Sequence, residues 1–144
     1  MNAELTKFDT TQLSNRIAAF AGAFGMAGGF GAVAYFDPVN AGFFPVCPLN
    51  TLTGFACPGC GLTRAFHSLF HGDILQALDH NALLPVFAFV IGYFFVSLVL
   101  SAVRGRGLSF RIFHPKLVFA FLIMGLVFGA VRNIPAYPFN ILYP

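Results

Sequence analysis

Residues Ala82–Val103 read ALLPVFAFVIGYFFVSLVLSAV, and none of these side chains is charged. A helix that crosses a bilayer needs roughly 20 consecutive, mostly apolar residues. Ile17–Phe36 is a second uncharged run of similar length, and residues 112–131 form a third apolar segment. The sequence therefore predicts an all-α integral membrane protein with three transmembrane helices, at about 17–36, 82–103 and 112–131.

The composition favours the same class of protein. The chain is 58% hydrophobic and 9% charged, with a mean hydropathy of +0.79, whereas soluble domains carry roughly a quarter charged residues. The 8 basic and 5 acidic residues are too sparse for the basic stripe of a nucleic-acid-binding protein. We therefore predict the lipid bilayer, and no nucleic acid, as a partner. The length of 144 residues leaves room for a single membrane domain, 1–144.

The basic residues predict an orientation in the membrane. Cytoplasmic loops carry an excess of Lys and Arg, and the second connection between spans contains four basic and no acidic residues: Arg104, Arg106, Arg111 and Lys116. This loop and the N-terminus, with Lys7 and Arg16, are then inside. The connection 37–81 and the C-terminus are outside, which we interpret as the outer side of a bacterial inner membrane. The first apolar run exceeds the roughly 7–15 residues of a cleavable signal, so we expect it to be retained.

Small residues recur at four-residue spacing in two spans. They are Ala21, Gly25 and Gly29 in the first span, and Gly125 and Gly129 in the third. Small residues at this spacing let helix backbones approach closely. We expect these faces to pack the first and third spans against each other or against a partner protein.

The connection between the first two spans divides into two parts. Residues 37–62 are rich in Pro and Gly and predict an irregular apolar loop. Residues 63–80 have a helical period interrupted at Gly72-Asp73, which predicts two short interfacial helices. Thr63 is the candidate N-cap of the first helix, and Asp73 that of the second, unless Asp73 pairs with Arg64 or Arg132. Asn81 is placed to cap the second span.

All three cysteines lie in this connection, at Cys47 and in the sequence Cys57-Pro58-Gly59-Cys60-Gly61. Two thiols in a C-x-x-C turn can face a common point, as a chelate or as a redox pair. With His67 and His71 they read C-x2-C-x6-H-x3-H, a loose match to a zinc site in which Cys47 could replace one histidine.

A disulfide is the competing interpretation, because thiols tend to pair outside the cytoplasm. Cys47 could pair with Cys57 or Cys60 and leave one thiol free, or Cys57 could pair with Cys60. Redox turnover is disfavoured, since no thioredoxin-like pattern surrounds the turn. His67 or His71 could also ligate haem or a pigment, or remain solvated without a ligand.

This region resembles a known family. The similarity is to the core of the short bacterial membrane proteins catalogued as domain of unknown function 2752. The residues that carry it are Cys47-Pro48, Thr53-Gly54, residues 57–61, Thr63-Arg64-Ala65, Gly72-Asp73, Ala77 and Asn81. Arg132-Asn133-Ile134-Pro135 resembles the end of that family's sequences. The resemblance covers about residues 43–135. It implies a small multi-span membrane protein and no particular activity.

Two arginines stand out on the predicted outer side, Arg64 and Arg132. An arginine near hydrocarbon is costly unless its guanidinium is paired or reaches water. We predict that Arg64 bonds either carbonyls of the cysteine turn or Asp73. Arg132 is predicted to tie down the tail from Pro135 to Pro144.

Three functions from different classes fit the sequence. The first is a structural or accessory subunit of a larger membrane complex, including an energy-transducing one, with other membrane subunits as partners. The second is a metal- or redox-sensing membrane protein that uses the cysteine turn. The third is an enzyme acting on a lipid-like substrate through Arg64 and Asp73. The enzyme hypothesis lacks a nucleophile–base pair in any known spacing, so we rank it last. We favour the hypothesis that the protein is a subunit of a larger complex.

Overall fold

The computed structural model describes residues 13–109 and 114–135, and these residues form helices and no strand. The helices are α1 (Leu13–Tyr35), α2 (Pro48–Thr53), α3 (Leu62–Phe70), α4 (Ile74–His80), α5 (Leu84–Arg104) and α6 (Pro115–Val131). The all-helical prediction is confirmed for this part of the chain. The expectations for Lys7, Arg111 and the tail 136–144 lie outside the described residues.

Two of the helices are long and apolar enough to cross a membrane. They are α1, with 23 residues, and α5, with 21 residues, and they overlap the predicted spans 17–36 and 82–103. Helix α6 is apolar but shorter, with 17 residues, and residues 112–113 of the predicted third span are outside the described part. The third span, like the orientation, stays a prediction.

The described chain divides into two compact units. The first unit comprises residues 13–30, 87–109 and 114–118. In this unit helices α1 and α5 run antiparallel. Arg16 donates hydrogen bonds of 3.1–3.2 Å to the carbonyl oxygens of Ala102 and Val103 at the end of α5. This contact suits a cation, because the last carbonyls of a helix carry a partial negative charge.

The second unit comprises residues 31–86 and 119–135. Its buried centre is Ala65, Ala77 and Leu84, with Leu62, Phe66 and Leu69 packed around it. The two predicted short helices are confirmed as α3 and α4. Asp73 is confirmed as the N-cap of α4, where its carboxylate accepts a hydrogen bond from the Gln76 amide at 3.2 Å.

One prediction about local structure is wrong, and the expected packing of the small-residue faces on each other or on a partner protein stays a prediction. Thr63 does not cap α3, because the helix already begins at Leu62 and Gly61 holds the capping position with φ of 80°, a left-handed conformation that favours glycine. The glycines of α6 pack on the cysteine turn: a Cβ at Gly129 would lie 3.1 Å from Cγ of Pro58. At Gly25 and Gly29 a Cβ would meet no described atom within 4 Å.

Candidate functional site

A tight turn brings Cys57 and Cys60 together. The amide of Cys60 donates to the carbonyl oxygen of Cys57 at 3.0 Å, so Pro58 and Gly59 are the two central residues of a β-turn. Proline presets the backbone for the first of these positions. The two Sγ atoms lie 3.2 Å apart, and the Cys57 amide donates to Sγ of Cys60, also at 3.2 Å. We call residues 57–61 the CPGCG turn.

Cys47 reaches the same point from the start of α2. It is the N-cap residue of that helix, with Pro48 in the first turn, and its Sγ lies 3.3 Å from Sγ of Cys57. All three sulfurs lie within 4.8 Å of one another. The three thiols are not bonded to each other, and Cys60 is the most buried. We call them the cysteine triad; they could bind a metal ion.

Cys47 and Cys60 differ in acidity. The backbone amide of Asn50, helped by the side chains of Cys57 and Cys60, lowers the pKa of Cys47 to about 7. Burial raises the pKa of Cys60 to about 12, and the neighbouring sulfurs add to this shift. Since the thiolate is both nucleophile and metal ligand, these pKa values make Cys47 the more reactive thiol of this pair at neutral pH.

Two buried side chains hold the carbonyl oxygens of the CPGCG turn. Arg132, at the end of α6, is 1% exposed, and its Nη1 donates to the carbonyls of Cys57 and Cys60 at 3.0 and 3.1 Å. Asn81, just before α5, donates from Nδ2 to the carbonyls of Pro58 and Cys60 at 2.9 and 3.1 Å. Because buried carbonyls are costly without a donor, these contacts fix the shape of the turn.

The residue before the turn is held in the same way. Asn133 donates from Nδ2 to the carbonyl of Ala56 and accepts the Ala56 amide on Oδ1, each at 2.8 Å. The Asn81 side chain also accepts the Leu83 amide at 2.9 Å, one residue before α5 begins, and Asn81 is the C-cap of α4; its capping of α5 stays a prediction. The ends of α5 and α6 therefore position the cysteine triad.

The triad opens onto a cavity of about 370 Å³. Cys47 and Cys60 lie in its wall together with Asn50, Thr63 and Arg64, and the remaining lining includes Pro38, Phe44 and Val46. A ligand in this cavity would meet two cysteines of the triad, one arginine and an apolar surface.

The histidines predicted as ligands do not join the triad. Nδ1 of His67 lies 2.7 Å from the carbonyl oxygen of Val33, and Nδ1 of His71 lies 2.8 Å from that of His67. The group of ligand atoms that the described residues bring together contains the cysteines alone. The C-x2-C-x6-H-x3-H set is therefore not assembled, because α3 directs both rings to backbone carbonyls.

Arg64 does not make the contacts predicted for it, and the contact predicted between Arg132 and the tail lies outside the described residues. Arg64 is exposed in the cavity wall, and it forms no hydrogen bond or ion pair with Asp73 or any other described residue. Arg132 makes the turn contacts predicted for Arg64, since its guanidinium is the one buried beside the turn. Asn133 and Gly129 were not among the predicted site residues; the resemblance of Arg132-Asn133 to the family's ending was the available signal.

Residues 47–95 match the family model described as a protein of unknown function (DUF2752). The resemblance to this family predicted from the sequence is confirmed over these residues, which contain all three cysteines and Asn81; its extension to residue 135 stays a prediction. No curated protein and no solved structure matches the chain. Since that description states no activity, any function has to be argued from the site itself.

Proposed function

We propose that the chain is an integral membrane protein whose cysteine triad binds one divalent metal ion, and that this ion is zinc. The convergence of three sulfurs within 4.8 Å carries the proposal. A disulfide uses two sulfurs and gives the third no role, whereas a metal ion uses all three.

The distances support zinc coordination. Zn–S bonds of about 2.3 Å place the sulfurs of a tetrahedral site about 3.8 Å apart. The Sγ pairs at 3.2 and 3.3 Å then need to separate by only about half an ångström. Thiolates are soft ligands that select zinc over magnesium or calcium.

The surroundings of the triad support binding as well. Arg132, Asn81 and Asn133 hold the backbone on both sides of Cys57, so little of the site has to be ordered when the ion arrives. Three thiolates and a divalent cation carry a net negative charge, and the buried guanidinium of Arg132 at the turn offsets it.

Metal analysis of the full-length protein in mild detergent tests this function. We expect one zinc ion per chain in the parent, and a loss of most of it in Cys47→Ser, Cys57→Ser and Cys60→Ser. His67→Ala and His71→Ala are the matched controls and should keep their zinc. A metal-free parent whose intact mass falls short by two hydrogens before reduction would establish a disulfide instead.

We further propose that the triad lies on the outer side of a bacterial inner membrane, with the N-terminus inside. The bias of basic residues toward the second connection supports this orientation. Single cysteines introduced in a cysteine-free chain at Asn40 and Gly107 test it with an impermeant reagent in intact cells. Labelling at Asn40 alone is expected; labelling at Gly107 alone would reverse the orientation.

A second candidate function is that of an accessory subunit in a larger membrane complex. It is favoured by apolar side chains of the loop around α2, which lie outside the three long helices: Leu52 is 84% exposed, Val46 75% and Phe43 61%. Photo-crosslinking from position 52 should then capture one membrane protein in stoichiometric amount. Crosslinks to lipid alone would leave the metal-binding function without a partner subunit.

A further inference from the structure

We propose that a metal ion on the triad keeps its fourth coordination position open to the adjoining cavity, and that this position takes a small thiol bearing a carboxylate. This inference rests on the metal-binding function proposed above and names the ligand class of the same site.

The fourth ligand has to come from outside the triad. The chain contains 3 cysteines, and all of them are already in the group. The described residues bring no histidine or carboxylate oxygen into it, because His67 and His71 contact backbone carbonyls. Zinc sites with three protein ligands hold water or an exogenous ligand in the fourth position.

The cavity supplies the route to that position. Cys47 and Cys60 form part of its wall, so a ligand in the cavity lies next to two of the three residues that would hold the ion. The volume of about 370 Å³ lies in the range of sites that bind small molecules, roughly 300–1,000 Å³. Phe44 and Val46 give the wall an apolar part that suits the short carbon chain of a thiol compound.

Arg64 selects the second group of the ligand. Arg64 lines the cavity and is exposed, and its guanidinium forms no hydrogen bond or ion pair with a described residue, so its donors are available. A guanidinium binds a carboxylate through two parallel hydrogen bonds. A ligand that puts sulfur on the metal and a carboxylate on Arg64 therefore uses both features of the cavity. On binding, the thiol proton and the metal-bound water pass to solvent, and no electron transfer is involved.

The test uses the cobalt-loaded, full-length protein in detergent, since the visible bands of cobalt(II) change when a sulfur ligand is added. Three probes separate the contribution of the thiol from that of the carboxylate. Mercaptoacetate has both groups, 2-mercaptoethanol lacks the carboxylate, and acetate lacks the thiol. We expect mercaptoacetate to change the spectrum and to bind about three- to tenfold more tightly than 2-mercaptoethanol. Acetate should not produce the sulfur-ligand change.

Variants of Arg64 complete the test. Arg64→Gln should bind the two thiols equally, and Arg64→Lys should keep part of the preference because it retains the charge without the planar fork. A cobalt spectrum in the parent that no thiol changes would overturn this inference alone, as would a carboxylate preference that survives in Arg64→Gln. A parent that binds no cobalt would overturn the proposed function and this inference with it.

Discussion

The side chain of Asn133 pairs with both backbone groups of Ala56, donating from Nδ2 to its carbonyl and accepting its amide on Oδ1, each at 2.8 Å. Ala56 is 1% exposed, so water cannot replace either bond. The pair joins the end of α6 to the residue that precedes Cys57. The cysteine triad is therefore positioned by a part of the chain far from it in sequence.

Replacing Asn133 should destabilise the protein. Asn133→Asp keeps an acceptor for the Ala56 amide but turns the donor into a second acceptor, which faces the Ala56 carbonyl. Leaving a buried polar group unsatisfied costs about 1–3 kcal/mol, and Asn133→Leu removes the partner of both Ala56 groups and of the Gly129 carbonyl. We expect a lower melting temperature in detergent for both variants. Melting curves that coincide with the parent would show that the pair contributes nothing to stability.

Arg132 and Arg64 should respond differently to the same substitutions. Arg132→Lys loses the Nη1 group that donates to both the Cys57 and the Cys60 carbonyl, and Arg132→Ala leaves a cavity as well. Both should reduce accumulation and lower the melting temperature, Arg132→Ala more strongly. Arg64→Lys and Arg64→Ala are the matched controls and should accumulate like the parent. If Arg64→Ala lowered accumulation and melting temperature more than Arg132→Ala, then Arg64 and not Arg132 would be the arginine that stabilises the CPGCG turn.

Two glycines of α6 provide a graded test of the contact with Pro58. A Cβ at Gly129 would lie 3.1 and 3.2 Å from Cγ and Cδ of Pro58, whereas one at Gly125 would lie 4.0 Å away, an ordinary contact. Gly129→Ala should therefore displace the turn and lower both the melting temperature and the metal content. Gly125→Ala should be tolerated. Equal behaviour of the two variants would mean that the turn does not rest on Gly129.

The reactivity of Cys47 should follow pH in the metal-free, reduced protein. With a pKa of about 7, Cys47 is mostly a protonated thiol at pH 6 and mostly a thiolate at pH 8. Alkylation of Cys47 should therefore accelerate over this interval. Cys60, with a pKa of about 12, should remain a protonated, slow thiol over this interval. Peptide mass spectrometry after a short pulse of iodoacetamide measures both rates. Faster labelling of Cys60 than of Cys47 at pH 7 would contradict this order.

The helices of this fold could be predicted because they depend on local composition. The uncharged runs at 17–36 and 82–103 needed no knowledge of the neighbours to be assigned as α1 and α5. The break at Gly72-Asp73 was visible for the same reason, since an N-cap side chain accepts a hydrogen bond from an amide only two or three residues along the chain.

The site was predicted only in part, because its contacts are between distant residues. The grouping of the cysteines followed from their short spacing. The hydrogen-bond partner of His67 could not be predicted from spacing, since it depends on the position of the Val33 carbonyl at the end of α1. In the same way, Arg64 is close to the turn in sequence, yet Arg132 occupies the place beside it. Spacing along the chain cannot distinguish these two guanidiniums.

X-ray absorption at the zinc edge of the purified, full-length protein measures the coordination of the triad most directly. We expect three sulfurs at about 2.3 Å from the zinc ion and one lighter atom, which is replaced by a fourth sulfur when mercaptoacetate is added. A shell dominated by nitrogen and oxygen, or one that is unchanged in Cys57→Ser, would contradict this expectation.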